Sequence, residues 1–488
     1  MSPLGAEATA SRAGPAAGAG RPRFGWLSIS LYGAGSISNA VKAGGLSSFL
    51  MIFYNQVMGL PASLVGLGLG FALIIDAFID PAVGQLSDNT RSRWGRRHPY
   101  MYAAALPVAI CFFLIWNPPT GLEGTKLFAY MMACLLTIRL FDTFFELPSS
   151  ALMPELVEDY DRRTAVVAVR VLLAMTGGLG MTVFAYQVAM KELPGGGGGI
   201  LAKDGYLSYA IMGSLLILAS ILVSSFATHR FIPWLRKASV VDAPRTRQFA
   251  QIGEVLKNRA FLAIMGSGSL IYLVGGVTTG LGMYISLFFW ELSQTQLSLI
   301  AGIAAVATLA GTVLAPQLAR RMGKKEAALL GYLVGAVGEL APYFLRMLGL
   351  LSENGEPGLF YFLAACRFLN VVSWSVTGVC ISAMIADVVE DNAVKTGRRS
   401  EGFLFAADSL FKKIASAGGP ALTGLVLATV QFPVGADKGD VDPDVLRHLI
   451  QLYVPLLIII YAVSMSVMAF YNISRTSHAA NLETLRAG

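Results

Sequence analysis

Apolar stretches long enough to cross a bilayer recur along nearly the whole chain. Twelve can be drawn, over residues 26–54, 61–87, 100–117, 126–155, 163–190, 205–231, 261–290, 297–318, 327–349, 358–388, 402–431 and 446–473. A helix needs about 20 apolar residues to cross the hydrocarbon core. Lipid offers no partner to backbone N–H and C=O groups, so a spanning segment is a helix or part of a closed barrel. Barrel strands are about 10 residues long and alternate in polarity; these stretches are longer and do not alternate. The expectation is an all-α polytopic membrane protein with twelve transmembrane helices. Composition agrees. Of 488 residues 14% are charged and 55% hydrophobic, whereas soluble domains carry about 25% charged residues. Too few charges remain to cover a large soluble protein.

Lysine and arginine orient the spans. One set of loops holds Arg91, Arg93, Arg96, Arg97, Arg162, Arg163, Arg236, Lys237, Arg245, Arg247, Lys257, Arg320, Arg321, Lys324, Lys325, Lys395, Arg398 and Arg399. The other set holds only Lys126, Lys191, Lys203, Arg346, Lys438 and Arg447. The positive-inside rule assigns the first set to the cytoplasm. With an even number of spans, both termini are expected there too, and a bacterial inner (plasma) membrane is the expected location. The net charge of +7 follows from this bias, so no nucleic-acid partner is expected; membrane lipids are.

Residues 1–22 are rich in Ala, Gly and Pro, lack the apolar core of a signal peptide, and are expected to form a disordered cytoplasmic tail. The polar stretch 234–260 is the longest basic loop. It divides the chain into six-span halves, 23–233 and 261–475, with 476–488 as a second tail. A weak internal echo supports duplication: PAVGQLSDNTRSRWGRR follows the second span and APQLARRMGKK the eighth. Two six-span bundles joined by such a connector resemble the major facilitator architecture. The glycine run Gly195–Gly199 follows no strand and lacks the ending of a phosphate loop; it is expected to be a flexible connector. Cys111, Cys134, Cys366 and Cys380 all lie in spans without metal-ligand spacing and are expected as packing residues.

Charges inside the spans need a reason, since each costs about 2.5–3.5 kcal/mol at the bilayer centre on insertion scales. The first half holds Lys42, Asp76, Asp80, Arg139, Asp142, Glu146 and Arg170; the second holds Glu339, Arg367, Asp387, Asp408, Lys412 and Lys413. Asp76 and Asp80 are four apart and share a face of span two. Thr143 and Glu146 share a face of span four, with Asp142 one turn before Glu146. Pro81 has no N–H for the carbonyl of Ala77, which frees a backbone oxygen beside the acids. Such a set of hard oxygens suits a small cation, or a proton shared between carboxylates. The bland alternative is that the acids only pair with Arg139, Arg170 or Lys413 to fix helix packing. The dense basic turn after span two, with Asp88, Arg91, Arg93, Arg96 and Arg97, is expected to fix topology and to pair with neighbouring helix ends in one state of a moving bundle.

Three segments carry a family resemblance. DAFIDPAVGQLSDNTRSRWGRRHPY, FELPSSALMPEL and MIADVVEDNAVKTGRRSEGFLFAADSLFKKIASAGG resemble spans two, four and ten to eleven of the glycoside–pentoside–hexuronide:cation symporters, which include the melibiose permeases. The resemblance covers nearly the whole chain after the tail. It implies that Asp76, Asp80 and Thr143 bind the coupling cation. It implies that Glu146 stands near both cation and substrate, that Arg170 is the sugar-site arginine of span five, and that Lys413 is the span-eleven lysine. Ile79 stands where melibiose permeases have a sodium-holding asparagine, which tilts the expectation toward protons or a looser sodium site. The span-one galactoside aspartate is absent; the region reads SNAVKAGG, with Asn39 and Lys42. Ser150 replaces the span-four tryptophan, and the span-ten counterpart falls at Gly378, with Trp374 one turn away. The cation framework also resembles that of eukaryotic lysolipid symporters.

The expectation for function is proton- or sodium-coupled symport of a glycoside or other sugar by alternating access. The alternative is a lysolipid-like or other small amphiphilic substrate. The expected substrate-binding set is Asn39, Lys42, Asp142, Glu146, Ser150, Arg170, Trp374 and Lys413. No cofactor is expected, no metal beyond a sodium at Asp76 and Asp80, and a monomer suffices. A membrane enzyme is disfavoured because His98, His229, His448 and His478 all sit near loops or ends and no HExxH or GxSxG context occurs. A non-transporting membrane protein is disfavoured by the buried acids; a drug/proton antiporter would differ in the direction of proton movement.

Overall fold

The computed structural model describes residues 24–157, 159–192, 198–235, 258–396 and 401–473. The tail 1–22, most of the connector 234–260, Gly195–Gly197 and the tail 476–488 lie outside the described residues. The first span is built from α1 (Trp26–Gly33) and α2 (Gly35–Ser48), then a short turn Leu50–Ile52 and a π turn Phe53–Val57. The other first-half spans are α3 (Ala62–Asn89), α4 (His98–Trp116), α5 (Gly124–Leu156), α6 (Tyr160–Phe184) and α7 (Asp204–His229). The second half holds α8 (Arg259–Tyr284), α9 (Gln294–Met322), α10 (Lys324–Met347), α11 (Pro357–Thr396), α12 (Glu401–Thr429) and α13 (Pro443–Ala469).

Among the described residues, ten helices are long and apolar enough to cross a membrane. The first and eleventh of the twelve expected spans fall outside that group for visible reasons. The first is broken into pieces, and α12 carries Asp408, Lys412 and Lys413 in its first half. Helix starts follow local chemistry. Asp159 caps α6 through the amide of Arg162, Asn258 caps α8, and Ser293 with Gln296 forms a reciprocal capping box on α9. The faint internal echo has a structural counterpart. The first span ends in the π turn Phe53–Val57 and α8 in the π turn Ile285–Phe289, and the helices that follow each carry a proline near the same depth, Pro81 and Pro316.

The halves meet along α3 and α12, with α8 behind α12. Glycines set that seam. A Cβ on Gly66 would lie 2.4 Å from the Pro420 carbonyl, one on Gly70 2.7 Å from the Ala417 carbonyl, and one on Gly424 2.5 Å from the Ala62 carbonyl. These are backbone-to-backbone approaches that no side chain permits. Past the seam, on the side away from the arginine-rich loops, Gln56 donates to the Pro433 carbonyl at 3.0 Å and accepts from the Ala436 amide at 3.1 Å. Tyr284 donates to Asn55 at 2.8 Å. Lys438 pairs with Glu192. The four cysteines are free.

Candidate functional site

The site begins with α3. Asp76 lies near the middle of this 28-residue helix and Asp80 one turn further. The glycines that bring α3 onto α12 also bring Lys413 to the same depth. Its Nζ lies 3.1 Å from Asp76 Oδ2 and donates to Asp80 Oδ2. Thr143 of α5 closes the cluster from the other side, within 3.4 Å of Asp76 Oδ1 and 3.2 Å of Asp80 Oδ1; its hydroxyl also lies 3.1 Å from the Arg139 carbonyl. Arg139 approaches Asp76 at 4.0 Å. Two carboxylates therefore face one ammonium, one hydroxyl and one guanidinium. Asp76 is buried, while the Asp80 and Lys413 side chains keep 25% and 33% exposure.

A second polar cluster joins the first span to α5 and α6. Lys42 donates to Asp142, and Asn39 donates to Glu146 at 2.9 Å. The spacing is that of antiparallel neighbours, three residues on one helix against four on the other. Nearer the arginine-rich loops, Arg170 donates to Tyr32 at 2.9 Å, to Ser36 at 3.1 Å and to Ser150 at 3.3 Å, and its guanidinium lies 5.2 Å from the Tyr32 ring centroid. Tyr32 in turn donates to the Ser149 carbonyl at 2.6 Å. The structure thus brings six of the eight expected substrate residues, Asn39, Lys42, Asp142, Glu146, Ser150 and Arg170, together on the first span, α5 and α6, while Lys413 belongs to the Asp76–Asp80 cluster. Arg170 stands against hydroxyls rather than against the acids. Glu146 accepts from Asn39, one helix face away from the Asp76–Asp80 pair. Trp374 stands apart, on α11 in the second half. It lines a cavity of about 480 Å³ between the halves, with Arg139, Tyr272, Thr278, Asn370 and Ser416.

The turn after α3 behaves as a clasp. Asp88 lies 3.7 Å from Arg96 and 3.3 Å from Arg97, and Glu155 at the end of α5 takes both arginines, Arg97 at 3.0 Å. Arg97 also donates to the Ala151 carbonyl. Burial pulls the Arg97 pKa down, and Glu155 works against that fall. Arg93 lies over the Trp94 ring at 5.6 Å, and Arg91 lines the adjacent recess. The expected pairing of this turn with neighbouring helix ends is realised with α5, inside the first half.

Several members of the site were not singled out in the sequence. Tyr32 and Ser36 were readable, because with Asn39 they stand at i, i+4 and i+7 and mark one polar face of an otherwise apolar span. Glu155 stood within the FELPSSALMPEL segment. Tyr272 carries no local signal, since aromatics are common in every span.

Two six-helix halves, closed on each other at one face and holding paired charges at mid-membrane, define an integral membrane transporter of the secondary type. Residues 31–475 match the family model described as MFS/sugar transport protein, and the chain belongs to that family. It is a transporter and not an enzyme. An uncharacterized symporter of Synechocystis is 27% identical over 93% of this chain and 96% of its own length. The isoprimeverose transporter of Lactiplantibacillus pentosus is 25% identical over 78% of this chain and 76% of its own. Among solved structures, the nucleoside transporter NupG shares the fold with a TM-score of 0.59 at 12% identity, covering 92% of this chain and 100% of that one.

Proposed function

We propose that this chain is a cation-coupled symporter that moves a glycoside or other sugar by alternating access, with a proton or sodium as the coupling ion. The carrying observation is the Lys413 ammonium held by Asp76 and Asp80 across the seam between the halves. An ammonium is a monovalent cation, and the oxygens that hold it have the charge to hold another. A coupling ion at Asp76, Asp80 and Thr143 competes with Lys413 and releases the bond between α3 and α12. Ion occupancy and the relative position of the halves are then linked, and a substrate bound between the halves is linked to both. Asn39, Lys42, Asp142, Glu146, Ser150 and Arg170 supply hydrogen-bond donors and acceptors suited to sugar hydroxyls. The isoprimeverose transporter among the relatives supports a sugar. On this reading the arginine-rich face is cytoplasmic, both termini lie inside and the carrier works as a monomer.

A second reading keeps the coupling site and changes the cargo. The cavity at Trp374 is also lined by Leu46, Met51, Leu69 and Leu73, a wall that suits an amphiphile such as a lysolipid. Proteoliposomes separate the readings. Internal pH and uptake are recorded while isoprimeverose, lactose or lysophosphatidylcholine is added, with and without sodium. Ion influx triggered by a sugar and lost in Asp80→Asn is the expected result. A response to the lysolipid alone replaces the cargo, and full accumulation by Asp80→Asn overturns the ion site.

A further inference from the structure

Two lysines stand side by side on α12 and face opposite ways. Lys413 reaches into the first half. Lys412 reaches into the second, where its Nζ pairs with Asp408 one turn back at 2.6 Å. Asp408 is 6% exposed. A buried ion pair within a spanning helix carries a desolvation cost, and neither partner touches the Asp76–Asp80 cluster. Its other contact is aromatic: the Lys412 ammonium lies 5.4 Å from the centroid of the Tyr272 ring on α8. The Tyr272 ring meets Trp374 edge to face, with centroids 6.1 Å apart at 65°. Trp374 is seated over Gly275, where a Cβ would come within 2.5 Å of the indole. Both rings line the cavity between the halves, and Tyr272 is 40% exposed.

We propose that Lys412, oriented by Asp408, is a positioning residue for substrate. It holds Tyr272 by a cation–π contact, and Tyr272 with Gly275 fixes Trp374 as a flat wall onto which the apolar face of a sugar ring stacks. This rests on the reading that the cavity receives the cargo. The neighbouring lysines then divide two tasks on one helix: Lys413 answers the coupling ion and Lys412 sets the substrate wall.

The test uses the full chain in proteoliposomes with isoprimeverose as probe, and near-ultraviolet circular dichroism in detergent as a readout that needs no substrate. The Trp374 band is defined as the difference between wild type and Trp374→Phe. Lys412→Met is expected to raise KM at least about five-fold, in line with loss of a cation–π contact, with the ion-to-sugar ratio unchanged and the Trp374 band collapsed. Lys412→Arg keeps the cation and restores both. The double change Asp408→Asn with Lys412→Met removes both charges, so it gives the same readout without a lone buried carboxylate. Unchanged KM and an unchanged band in these variants overturn the proposal. A collapsed band together with an unchanged KM in Trp374→Ala overturns the cavity as the cargo site, and with it the role of Lys412 in affinity.

Discussion

The Lys413 ammonium ties α12 to α3 through two carboxylates at once. It neutralises two aspartates that would otherwise repel one another in a low-dielectric setting. Lys413→Met is expected to abolish gradient-driven accumulation, because the two acids then compete for protons with no counter-charge. Sugar exchange at equal concentrations on both sides, compared with uphill uptake, checks this; unaltered uphill uptake contradicts it. Lys42 is a contrasting case. Its side chain is 2% exposed and its partner Asp142 18% exposed. Removing one partner of such a pair costs about 3–5 kcal/mol. Lys42→Met is therefore expected to lower thermal stability in detergent clearly, and Lys42→Met with Asp142→Asn to recover most of it. Equal loss in both variants argues against a pair.

At the scale of elements, α3 and α12 touch through glycines rather than through side chains. Gly66→Val places two methyl groups where the Pro420 carbonyl and Gly424 lie. The seam must then open, because a backbone carbonyl has no rotamer to escape into. We expect uptake to fall more than about ten-fold with insertion retained, as overpacking shifts whole elements. Labelling of a cysteine placed at Gln56 is expected to rise, since that residue sits in the closed face. Wild-type uptake by Gly66→Val contradicts the seam. The turn from α3 to α4 works differently. Its arginines converge on Asp88 and Glu155 and fasten the end of α3 to the end of α5 within the first half.

For the whole molecule, the inter-half contacts named above lie at mid-membrane or toward the face opposite the arginine-rich loops. A transporter in this state must part those contacts to complete a cycle. Gln56→Cys with Ala436→Cys joins two groups that are hydrogen-bonded across the halves. Oxidation of that pair is expected to stop net uptake and reduction to restore it. Transport that continues while the pair is cross-linked contradicts alternating access about this seam.

Spans, their number and the buried charges were legible because bilayer length and the cost of charge in lipid leave direct marks on sequence. Asp76, Asp80 and Thr143 were placed on their helix faces by the period of 3.6 residues alone. The loops of Arg91, Arg93, Arg96 and Arg97 announced a common face for the same kind of reason. The pairing of charges was not legible. Lys413 stands 333 residues from Asp80, and no local pattern states which acid a distant cation meets, or that Lys412 turns the other way. Nor could the sequence separate Arg170 from the acids, or Glu146 from the aspartate pair. Those choices depend on helix rotation and on how closely two backbones approach at Gly66, Gly70 and Gly424. Such approaches are properties of the packed bundle, where a glycine's meaning is set by the carbonyl opposite it.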